Sequence, residues 1–385
     1  MNLPPLPDTF IPSQEFPSLN HWAFFNHSGV SPVSRRAADA IRRYLDQSQH
    51  DAYMTGKWYK QAETTRAAAA KLLNADVTEI AFVKNTSEGL SFIANGLSWK
   101  PGDEIVSARV EYPANVYPWM DAAERHGVKH IMVSERVRNG AGRIEIEDLF
   151  AAVTPRTRLI AISHVEYASG YRNDLAAIGR FCRERGILFC VDAIQSVGVL
   201  PVDVKAMQID FLSAGGHKWM LGPEGIGIFF CRRELFSEVR PEVGWMNVVH
   251  YQDFTHHDFR FREDARRFEC GGYNLAGVLG LGGSLEMLHD LGPDLIWRRA
   301  YGLTSMLTDG LRAKGYHVYS PRETEEESSG IVSFTSPLHA PDPIVKSLEE
   351  QKIIITKREE RLRAAPHFYQ GPEQIQRLLD ALPAH

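Results

Sequence analysis

Asp192 and Lys218 each follow an apolar run that is typical of a buried strand. Asp192 ends the run at 189–191, and Lys218 follows the run at 209–213 through a Gly-Gly turn. Open α/β sheets place ligands at the carboxyl ends of their strands, so the two side chains could meet in one crevice. A lysine held there beside His217 would lose part of its hydration and could become a nucleophile.

A lysine and a carboxylate in one crevice suit the chemistry of pyridoxal phosphate. The cofactor needs a lysine that forms a Schiff base with it and a carboxylate that keeps its pyridinium nitrogen protonated. Taken singly, Asp192 is explained as a helix cap and Lys218 as a surface lysine. The occurrence of both after buried strands favours a cofactor site.

The segment 85–89 (NTSEG) follows another apolar run and precedes a helix-length stretch. It fits a capping box, with Asn85 or Thr86 as the cap and Glu88 returning to the backbone. The free N–H groups and the positive dipole end of such a helix also bind phosphate. Both interpretations can hold together.

Other motifs for nucleotides, hydrolases and metals are absent. The chain contains no GxxxxGK[ST], no GxSxG, no HExxH and no GxGxxG that opens a helix after the first strand. His256 and His257 lack an obvious third ligand, so we expect no metal. The four cysteines are scattered without a CxxC pair, which indicates reduced thiols, and two of them, Cys190 and Cys231, are predicted core residues.

The composition is that of an ordinary globular protein. The 385 residues are 44% hydrophobic and 24% charged, which excludes a disordered or fibrous chain. A net charge of −5 is too small to indicate binding to nucleic acid or to an anionic membrane. No apolar run approaches the roughly 18 residues of a membrane-spanning helix, and 1–16 shows no secretory pattern. We expect a soluble, cytoplasmic protein.

Short apolar runs alternate with helix-length segments up to about residue 255. Most runs are continuous rather than alternating, which is typical of strands buried on both faces. Helical spacing predicts helices at 115–126 and 174–185, which Gly127 and Gly186 should end. The pattern predicts an open α/β sheet covered on both faces. The predicted strands are 79–83, 104–108, 130–134, 158–164, 187–191, 209–213 and 226–230.

The later part of the chain has the pattern of a smaller α+β domain. The polar, aromatic segment at 251–267 is predicted as a long loop, and the acidic run at 323–327 as a solvated loop. The predicted helices are 275–291, a second one up to 314, and 372–382, and the predicted strands are 330–336 and 352–356.

The segments VDAIQSVG (191–198) and SAGGHKWMLGPEGIGIFF (213–230) resemble those of class V aminotransferase-type pyridoxal-phosphate enzymes. This family includes cysteine desulfurases, kynureninase and isopenicillin N epimerase-like proteins. The similarity extends from FFNHSG at 24–29 to the last helix. It implies fold type I, an α/β fold with a seven-stranded, mostly parallel sheet in a large domain (20–288) and a small α+β domain (1–19 and 289–385). It also implies a homodimer with active sites at its interface.

The resemblance gives a role to each matching residue. Lys218 is the Schiff-base lysine and proton shuttle, Asp192 the carboxylate on the ring nitrogen, and Gln195 the residue near the phenolic oxygen. Tyr112, in EYPAN at 111–115, stacks on the pyridine ring, and His217 reaches the phosphate. The implied cofactor-binding residues are Thr86, Ser87, Tyr112, Asp192, Gln195, His217, Lys218 and Gly272.

The segment 362–369 (LRAAPHFY) resembles the R-x-S-x-H-x-Y element of the family, with Ala365 in place of the Ser. The arginine of that element binds the α-carboxylate of the substrate, so the resemblance implies this role for Arg363. A planar guanidinium suits the task because it can donate two hydrogen bonds to one carboxylate. His27 is implied as a second substrate-binding residue. Arg358 and Arg361 are expected to be surface charges.

Three positions depart from the desulfurase pattern. Gly215 stands in place of Ser, Tyr167 in place of Asn, and Gly272 in place of the Thr that reaches the partner's phosphate. Phosphate binding is therefore expected to depend more on backbone amides and on His217.

The resemblance implies a pyridoxal-phosphate enzyme acting on an amino acid or amine. Transamination is the first expectation; a C–S (β-) lyase or epimerase is the alternative. A cofactor-binding regulatory relative without turnover is a further alternative. Such a protein would not need the Schiff-base lysine, so the presence of Lys218 argues against it. The chain is not expected to be a cysteine desulfurase, because no cysteine lies at 337–362, where the family carries its sulfur-accepting thiol, and only Cys270 could substitute.

Overall fold

The structure is a computed structural model that describes residues 3–51 and 56–384. The predicted domains also include Met1, Asn2, 52–55 and His385, which lie outside the described residues. The helices are α1 (Pro12–Glu15), α2 (Arg35–His50), α3 (Trp58–Leu73), α4 (Thr86–Gly96), α5 (Tyr117–His126), α6 (Ile146–Ala151), α7 (Leu175–Arg185), α8 (Leu275–Leu291), α9 (Pro293–Ala313), α10 (Pro341–Glu350) and α11 (Pro372–Ala381). The strands are β1 (Ala23–Phe24), β2 (Ile80–Val83), β3 (Glu104–Ala108), β4 (Lys129–Val133), β5 (Arg136–Arg138), β6 (Ala141–Arg143), β7 (Thr157–Ser163), β8 (Leu188–Asp192), β9 (Phe211–Gly215), β10 (Gly227–Cys231), β11 (His317–Val318), β12 (Val332–Thr335), β13 (Ile353–Ile354), β14 (Thr356–Arg358) and β15 (Arg361–Ala364).

The largest sheet has seven strands in the order β2-β10-β9-β8-β7-β3-β4. Neighbouring strands are parallel except at β10, which runs antiparallel to both β2 and β9. The seven strands predicted from the apolar runs are these seven, and each observed bound lies within two residues of the predicted one. The predicted α/β fold with a mostly parallel seven-stranded sheet is confirmed.

Successive residues of the central strands belong to two different apolar layers. In β7, Ile160 and Ile162 lie in one buried cluster, whereas Leu159 and Ala161 lie in the other. Side chains of a strand point alternately to opposite faces, and here both faces are covered. This double burial explains why the strands are continuous apolar runs. Cys190 is one of these core residues, as predicted.

Glycines end the two helices predicted from helical spacing. Gly127 and Gly186 have positive φ angles of 69° and 66° and form the left-handed caps of α5 and α7. Glycine adopts this conformation without the penalty that a Cβ would bring. The Asp174 side chain accepts a hydrogen bond of 2.9 Å from the backbone N of Ala177, which begins α7 at the predicted place.

A smaller antiparallel sheet of four strands, in the order β11-β12-β15-β14, follows α8 in the chain. Leu307, Ile344 and Leu378, from α9, α10 and α11, lie in the apolar cluster that covers it. The prediction at 330–336 corresponds to β12, and the prediction at 352–356 spans β13 and the first residue of β14. The apolar pattern does not predict β15, because arginines alternate with its apolar residues.

The acidic run at 323–327 is a loop, but it is not fully solvated as predicted. Glu327 forms an ion pair with Arg143 of β6, with Nε and Oε2 2.8 Å apart. Trp297 of α9 donates a hydrogen bond of 2.7 Å to Glu325. The run therefore joins the β5–β6 hairpin to α9. The segment 251–267 is irregular, as predicted, apart from a 3-10 turn at Ala265–Phe268.

The N-terminal segment packs on elements from the other end of the chain. β1 pairs in parallel with β13, and Phe16 stacks on Tyr369 with ring centres 3.8 Å apart. The proposed division into 20–288 and 1–19 with 289–385 stays a prediction. In the ranges 3–51 and 56–384, no helix has the length and apolar character needed to cross a bilayer.

Candidate active site

The carboxyl ends of β8 and β9 bring Asp192 and Lys218 into one buried site. The strands are parallel neighbours, and Asp192 pairs in register with Ser213. Asp192 is 2% exposed, and its Oδ1 accepts a hydrogen bond of 3.0 Å from the backbone N of Ile194. Its Oδ2 is buried and has no partner among the described residues. Burial raises the pKa of Asp192 to about 6, against the opposing effect of the Lys218 charge.

Lys218 is held in the turn that follows β9 and is 9% exposed. Its backbone oxygen accepts a hydrogen bond of 2.6 Å from Ser31 Oγ, which fixes the turn. Burial lowers the pKa of Lys218 to about 8; Asp192 opposes this shift, while Arg363 and Arg358 add to it. A substantial fraction of this amine is therefore neutral near pH 8 and able to act as a nucleophile or base.

The amino terminus of α4 lies beside the turn that carries Lys218. Asn85 caps the helix, since its Oδ1 accepts a hydrogen bond of 3.0 Å from the backbone N of Glu88. Glu88 returns to the backbone N of Lys84 at 2.5 Å. Thr86 Oγ1 accepts a hydrogen bond of 2.9 Å from the backbone N of Gly215, so this hydroxyl already joins the helix to β9.

Ser87 and Tyr112 line a surface cavity of about 460 Å³ next to this helix end. The centre of the Tyr112 ring lies 5.6 Å from Lys218 Nζ. The ring is 47% exposed and makes an edge contact with Tyr167, with ring centres 5.3 Å apart. Tyr112 is thus close to the amine and has a free side on which a flat ring could stack; its stacking role stays a prediction.

His217 lies next to Lys218 and is partly buried. Burial, assisted by the Lys218 charge, lowers the pKa of His217. A Cβ at Gly215 would come within 3.1 Å of the His217 ring, so a serine here, as in the desulfurase pattern, would require the imidazole to shift. The exchange of Ser for Gly therefore allows the observed position of His217.

Gly272 is exposed in the turn before α8, and a Cβ built on it would meet no other atom within 4 Å. No side chain of the described residues therefore lies close to the Cβ position of Gly272. Its predicted role, contact with a cofactor, stays a prediction.

Gln195 connects three segments around the Lys218 turn. Its Nε2 donates a hydrogen bond of 3.0 Å to the backbone oxygen of Ser28, and its Oε1 accepts one of 2.9 Å from Trp219 Nε1. One N–H of the amide remains for a further acceptor. The role expected for it beside the phenolic oxygen is compatible with these contacts and stays a prediction.

Arg363 enters the site from β15 and is 1% exposed. One of its nitrogens donates to the backbone oxygen of Tyr167, while Nε and Nη2 are buried without a partner among the described residues. These two N–H groups can donate hydrogen bonds to the carboxylate of a substrate.

His27, the second residue expected to bind substrate, has both ring nitrogens engaged within the protein. Nδ1 donates to the backbone oxygen of Ala365 at 2.7 Å, and Nε2 accepts from the hydroxyl of Tyr369 at 2.6 Å. Burial lowers the pKa of His27 to about 4, so the ring is neutral. The contacts of the ring hold β1 and the segment after β15 together, and its substrate-binding role stays a prediction.

Arg358 and Arg361 are half-buried, which corrects the expectation that both are surface charges. The guanidinium of Arg361 lies 4.0 Å from the ring centre of Tyr319. Arg358 is close enough to depress the pKa of both Lys218 and Arg363. The half-buried position of these two arginines follows from the pairing of β14 with β15. The sequence analysis did not predict that hairpin and so could not place them.

Two further buried carboxyl groups, Glu111 and Glu166, lie near enough to Asp192 for its charge to affect them, and they were not predicted as part of the site. Glu111 accepts hydrogen bonds from the backbone N and the Oγ of Ser163, at 2.6 and 2.5 Å. Glu166 Oε1 accepts one of 2.9 Å from Asn173. Burial is the main cause of a raised pKa at both, so each carries less negative charge than a solvated carboxyl group would.

These residues fit a cofactor with an aldehyde, a protonated ring nitrogen and a phosphate. Lys218 supplies a buried amine, the unpartnered Oδ2 of Asp192 an acceptor for an N–H, and the start of α4 an anion site. Across the described ranges, no group of three or more His, Cys, Asp and Glu side chains could hold a metal ion. The fold and the site define a pyridoxal-phosphate enzyme of the α/β class.

Comparison with known proteins agrees with this class. The family model "Aminotransferase class-V" matches residues 23–359. A probable cysteine desulfurase of Pyrococcus abyssi is 28% identical over 96% of this chain and 95% of its own length. The apo structure of a cysteine desulfurase from Thermococcus onnurineus has a TM-score of 0.88 at 26% identity and covers 99% of this chain and 98% of that chain. A complex of the cystine C–S lyase C-DES with its product cysteine persulfide has a TM-score of 0.87 at 26% identity, covering 95% and 98%.

The chain belongs to the class V aminotransferase family, and it is an enzyme whose cofactor is pyridoxal phosphate. The relatives named above cleave C–S bonds or are probable desulfurases. They therefore support the expected alternative, a C–S lyase, better than transamination, which was the first expectation.

Proposed function

We propose that this enzyme cleaves the C–S bond of a cysteine-derived amino acid by β-elimination. The observation that carries the proposal is a site with a buried amine, a buried carboxylate and a buried arginine with two unpartnered donors, in a chain without a thiol where the family resemblance expects one. Residues 337–362 contain no cysteine. Of the four cysteines, three are buried and only Cys270 is exposed. β-Elimination transfers no sulfur to the protein and so needs no thiol.

Arg363 orients the substrate in this mechanism. Its Nε and Nη2 are buried and find no partner in the described part of the chain, so a substrate α-carboxylate would satisfy both donors at once. The bond from Nη1 to the Tyr167 backbone keeps the guanidinium plane in position. A substrate held in this way presents its α-carbon to the interior of the site, where Lys218 lies.

Lys218 is the group that moves protons. Bound pyridoxal phosphate supplies an electron-withdrawing ring that stabilises negative charge at the substrate α-carbon. The neutral Lys218 amine takes the α-proton, and the electron pair of that C–H bond expels the sulfur from the β-carbon. The lysine then carries a positive charge and is an acid for the departing sulfur. Asp192, whose Oδ2 is buried without a partner among the described residues, would hold the ring N–H of the bound cofactor.

The reaction balances without an oxidant or a protein thiol. For cystine, elimination followed by addition of one water gives pyruvate, ammonia and cysteine persulfide. The holoenzyme incubated with cystine should therefore release pyruvate and ammonia in equal amounts, and Cys270→Ser should do so at the wild-type rate.

Two outcomes would contradict this proposal in different ways. Release of alanine from cysteine, with a persulfide on Cys270 that disappears in Cys270→Ser, would show a desulfurase. Amino transfer from a panel of amino acids to an α-keto acid, without pyruvate from cystine, would favour the aminotransferase.

We also propose that the enzyme is a homodimer. Trp245 and Phe254 are exposed aromatic side chains, and the indole nitrogen of Trp245 lies 4.0 Å from the Cβ position of Gly271. An apolar surface therefore adjoins the turn at 270–272, where the family resemblance expects a partner's site. Size-exclusion chromatography with light scattering should give a mass of about twice the 43.4 kDa of one chain. A mass equal to one chain would contradict the proposal.

A further inference from the structure

Arg358 is a cation beside the site for which the described residues supply no counter-charge. Its Nη1 donates a hydrogen bond of 2.9 Å to the backbone oxygen of its neighbour Lys357. Within 3–51 and 56–384, no carboxylate lies within ion-pair distance of Arg358. Glu359, the acid next to it in the chain, is bound to Arg361 instead.

The register of β14 and β15 puts Arg358 on the same face as the expected clamp. Thr356 lies opposite Arg363, and Arg358 lies opposite Arg361. Directly opposed side chains of an antiparallel pair share one face of the sheet, and so do residues two apart on one strand. Arg358, Arg361 and Arg363 therefore project from one face.

The other charges of this hairpin are neutralised. Arg361 pairs with Glu359 and lies against the Tyr319 ring. Lys357, on the opposite face, pairs with Asp342 at 2.8 Å and with Glu360 at 3.4 Å. Arg363 and Arg358 are the two guanidiniums of this face that the hairpin leaves without a negative charge, and each lies near enough to Lys218 to influence it.

We propose that Arg358 binds a second anionic group of the substrate, so that the enzyme selects amino acids bearing a carboxylate beyond the β-sulfur. This inference rests on the proposed function, since it assigns the α-carboxylate to Arg363. The distal half of a cystine-type disulfide has such a carboxylate, and so has a thioether of cysteine with a carboxyalkyl group. A neutral side chain would leave the Arg358 charge uncompensated.

The bond changes are those of the proposed elimination. The α-proton goes to Lys218, the bond between the β-carbon and sulfur breaks, and the sulfur leaves with the electron pair together with the anionic group that Arg358 holds. No redox partner is needed. Arg358 acts on specificity, through binding of the leaving portion, and takes no proton.

The test compares two substrates that differ in one charge. S-(2-carboxyethyl)-L-cysteine and its neutral amide, S-(2-carbamoylethyl)-L-cysteine, have nearly the same shape. A hydrogen-bonded charge pair contributes roughly 1.5–3 kcal/mol, which corresponds to roughly tenfold to a hundredfold in kcat/KM. We expect the wild type to prefer the carboxylate by this factor, measured as pyruvate release. Arg358→Gln should lose the preference, and Arg358→Lys should keep part of it.

Lys357→Gln is the matched control, because it removes one positive charge from the adjacent residue on the opposite face. It should leave the preference unchanged. If Arg358→Gln lowers kcat/KM equally for both substrates, or if the wild type does not distinguish them, the inference is wrong.

A binding measurement separates this inference from the proposed function. Glutarate and its monoamide, glutaramate, differ by the same single charge and undergo no elimination. Calorimetry on the holoenzyme should show that glutarate binds at least about tenfold more tightly, and that Arg358→Gln removes the difference. If neither conjugate releases pyruvate while this difference is observed, the proposed function fails and the anion site stands. If glutarate and glutaramate bind equally to the wild type, the anion site fails.

Discussion

Arg363 Nη1 donates a hydrogen bond of 2.7 Å to the backbone oxygen of Tyr167, 196 residues away in the chain. This bond joins the small antiparallel sheet to the segment that follows β7 in the large one. Burial, with a contribution from Arg358, lowers the pKa of Arg363 to about 9, which shows how little the protein compensates its charge. Arg363 is anchored through one nitrogen, and its other two have no partner within 3–51 and 56–384, which leaves them able to bind a carboxylate.

Replacing this arginine should weaken substrate binding more than it slows the chemical step. In Arg363→Lys a single ammonium replaces the two-pronged contact, and we expect KM to rise roughly tenfold to a hundredfold, the range for loss of a charge-assisted hydrogen bond. Steady-state kinetics with cystine, the proposed substrate, measures KM and kcat of the variant. A matched control is Arg361→Lys, whose partners are Glu359 and Tyr319. Unchanged KM in Arg363→Lys would exclude the clamp.

Lys218 should be the residue to which the cofactor is attached. Borohydride treatment of the yellow holoenzyme should remove its visible absorbance and leave the reduced cofactor on the peptide that contains Lys218. Lys218→Ala should bind pyridoxal phosphate without such fixation, because the remaining contacts are non-covalent. Mass spectrometry of the digest identifies the modified lysine, and an adduct on another lysine would refute the assignment.

Asp192→Asn should keep the cofactor attached but slow turnover. The amide cannot hold the ring N–H as a carboxylate does, and a charge-assisted hydrogen bond contributes roughly 1.5–3 kcal/mol. We expect kcat to fall by about tenfold to a hundredfold. Absorbance spectra verify the cofactor content of the variant. Turnover at the wild-type rate would mean that Asp192 does not support the ring.

Attachment of pyridoxal phosphate to the apoenzyme should accelerate as the pH rises, with a midpoint near pH 8 and a plateau at higher pH. Only the neutral amine is a nucleophile, and burial lowers the pKa of Lys218 from its ordinary 10.5 to about 8. Because Asp192 opposes this shift, Asp192→Asn should move the midpoint to lower pH. Stopped-flow absorbance at a series of pH values measures the rate. A rate that still rises at pH 10 would show an ordinary, solvated lysine.

The buried ion pair of Arg66 and Glu269 should be important for stability. Arg66 Nη1 and Glu269 Oε1 are 2.5 Å apart, and the same oxygen accepts a hydrogen bond of 2.7 Å from the backbone N of Phe82. Glu269→Ala leaves the buried Arg66 with Glu63, 3.1 Å away, as its remaining ion-pair partner, so we expect a loss of about 3 kcal/mol of unfolding free energy, the lower end of the range for breaking a buried pair. Urea denaturation of the holoenzyme measures it.

The matched control for this ion pair is Asp121→Ala, which also removes one carboxylate from an arginine. Its partner, Arg125, is exposed on the surface of α5, with Nη2 2.6 Å from Asp121 Oδ2. The loss of such an exposed pair should cost no more than about 1 kcal/mol, because water solvates the remaining charge. Equal losses in the two variants would contradict the expectation.

The strands of the large sheet and the two residues predicted to hold the cofactor were recognisable from local patterns in the chain. A strand buried on both faces must be apolar at successive positions, so most strands of the large sheet appear as short continuous runs. Asp192 and Lys218 were recognisable because each follows such a run, and parallel strands deliver their carboxyl ends to one edge.

Tertiary structure decided everything that depends on contacts between distant segments. β10 runs antiparallel to β2 and β9, and its apolar composition would suit a parallel strand equally well. Only the pairing with its neighbours sets its direction. The burial of His27 depends on Ala365 and Tyr369, more than 300 residues away. In the sequence, Arg358 is one charged residue in a run of basic and acidic residues. Only the register of β14 and β15 shows that it shares a sheet face with Arg363. Local periodicity carries no information on such pairings, because the free energy that selects them comes from packing between elements far apart in the chain.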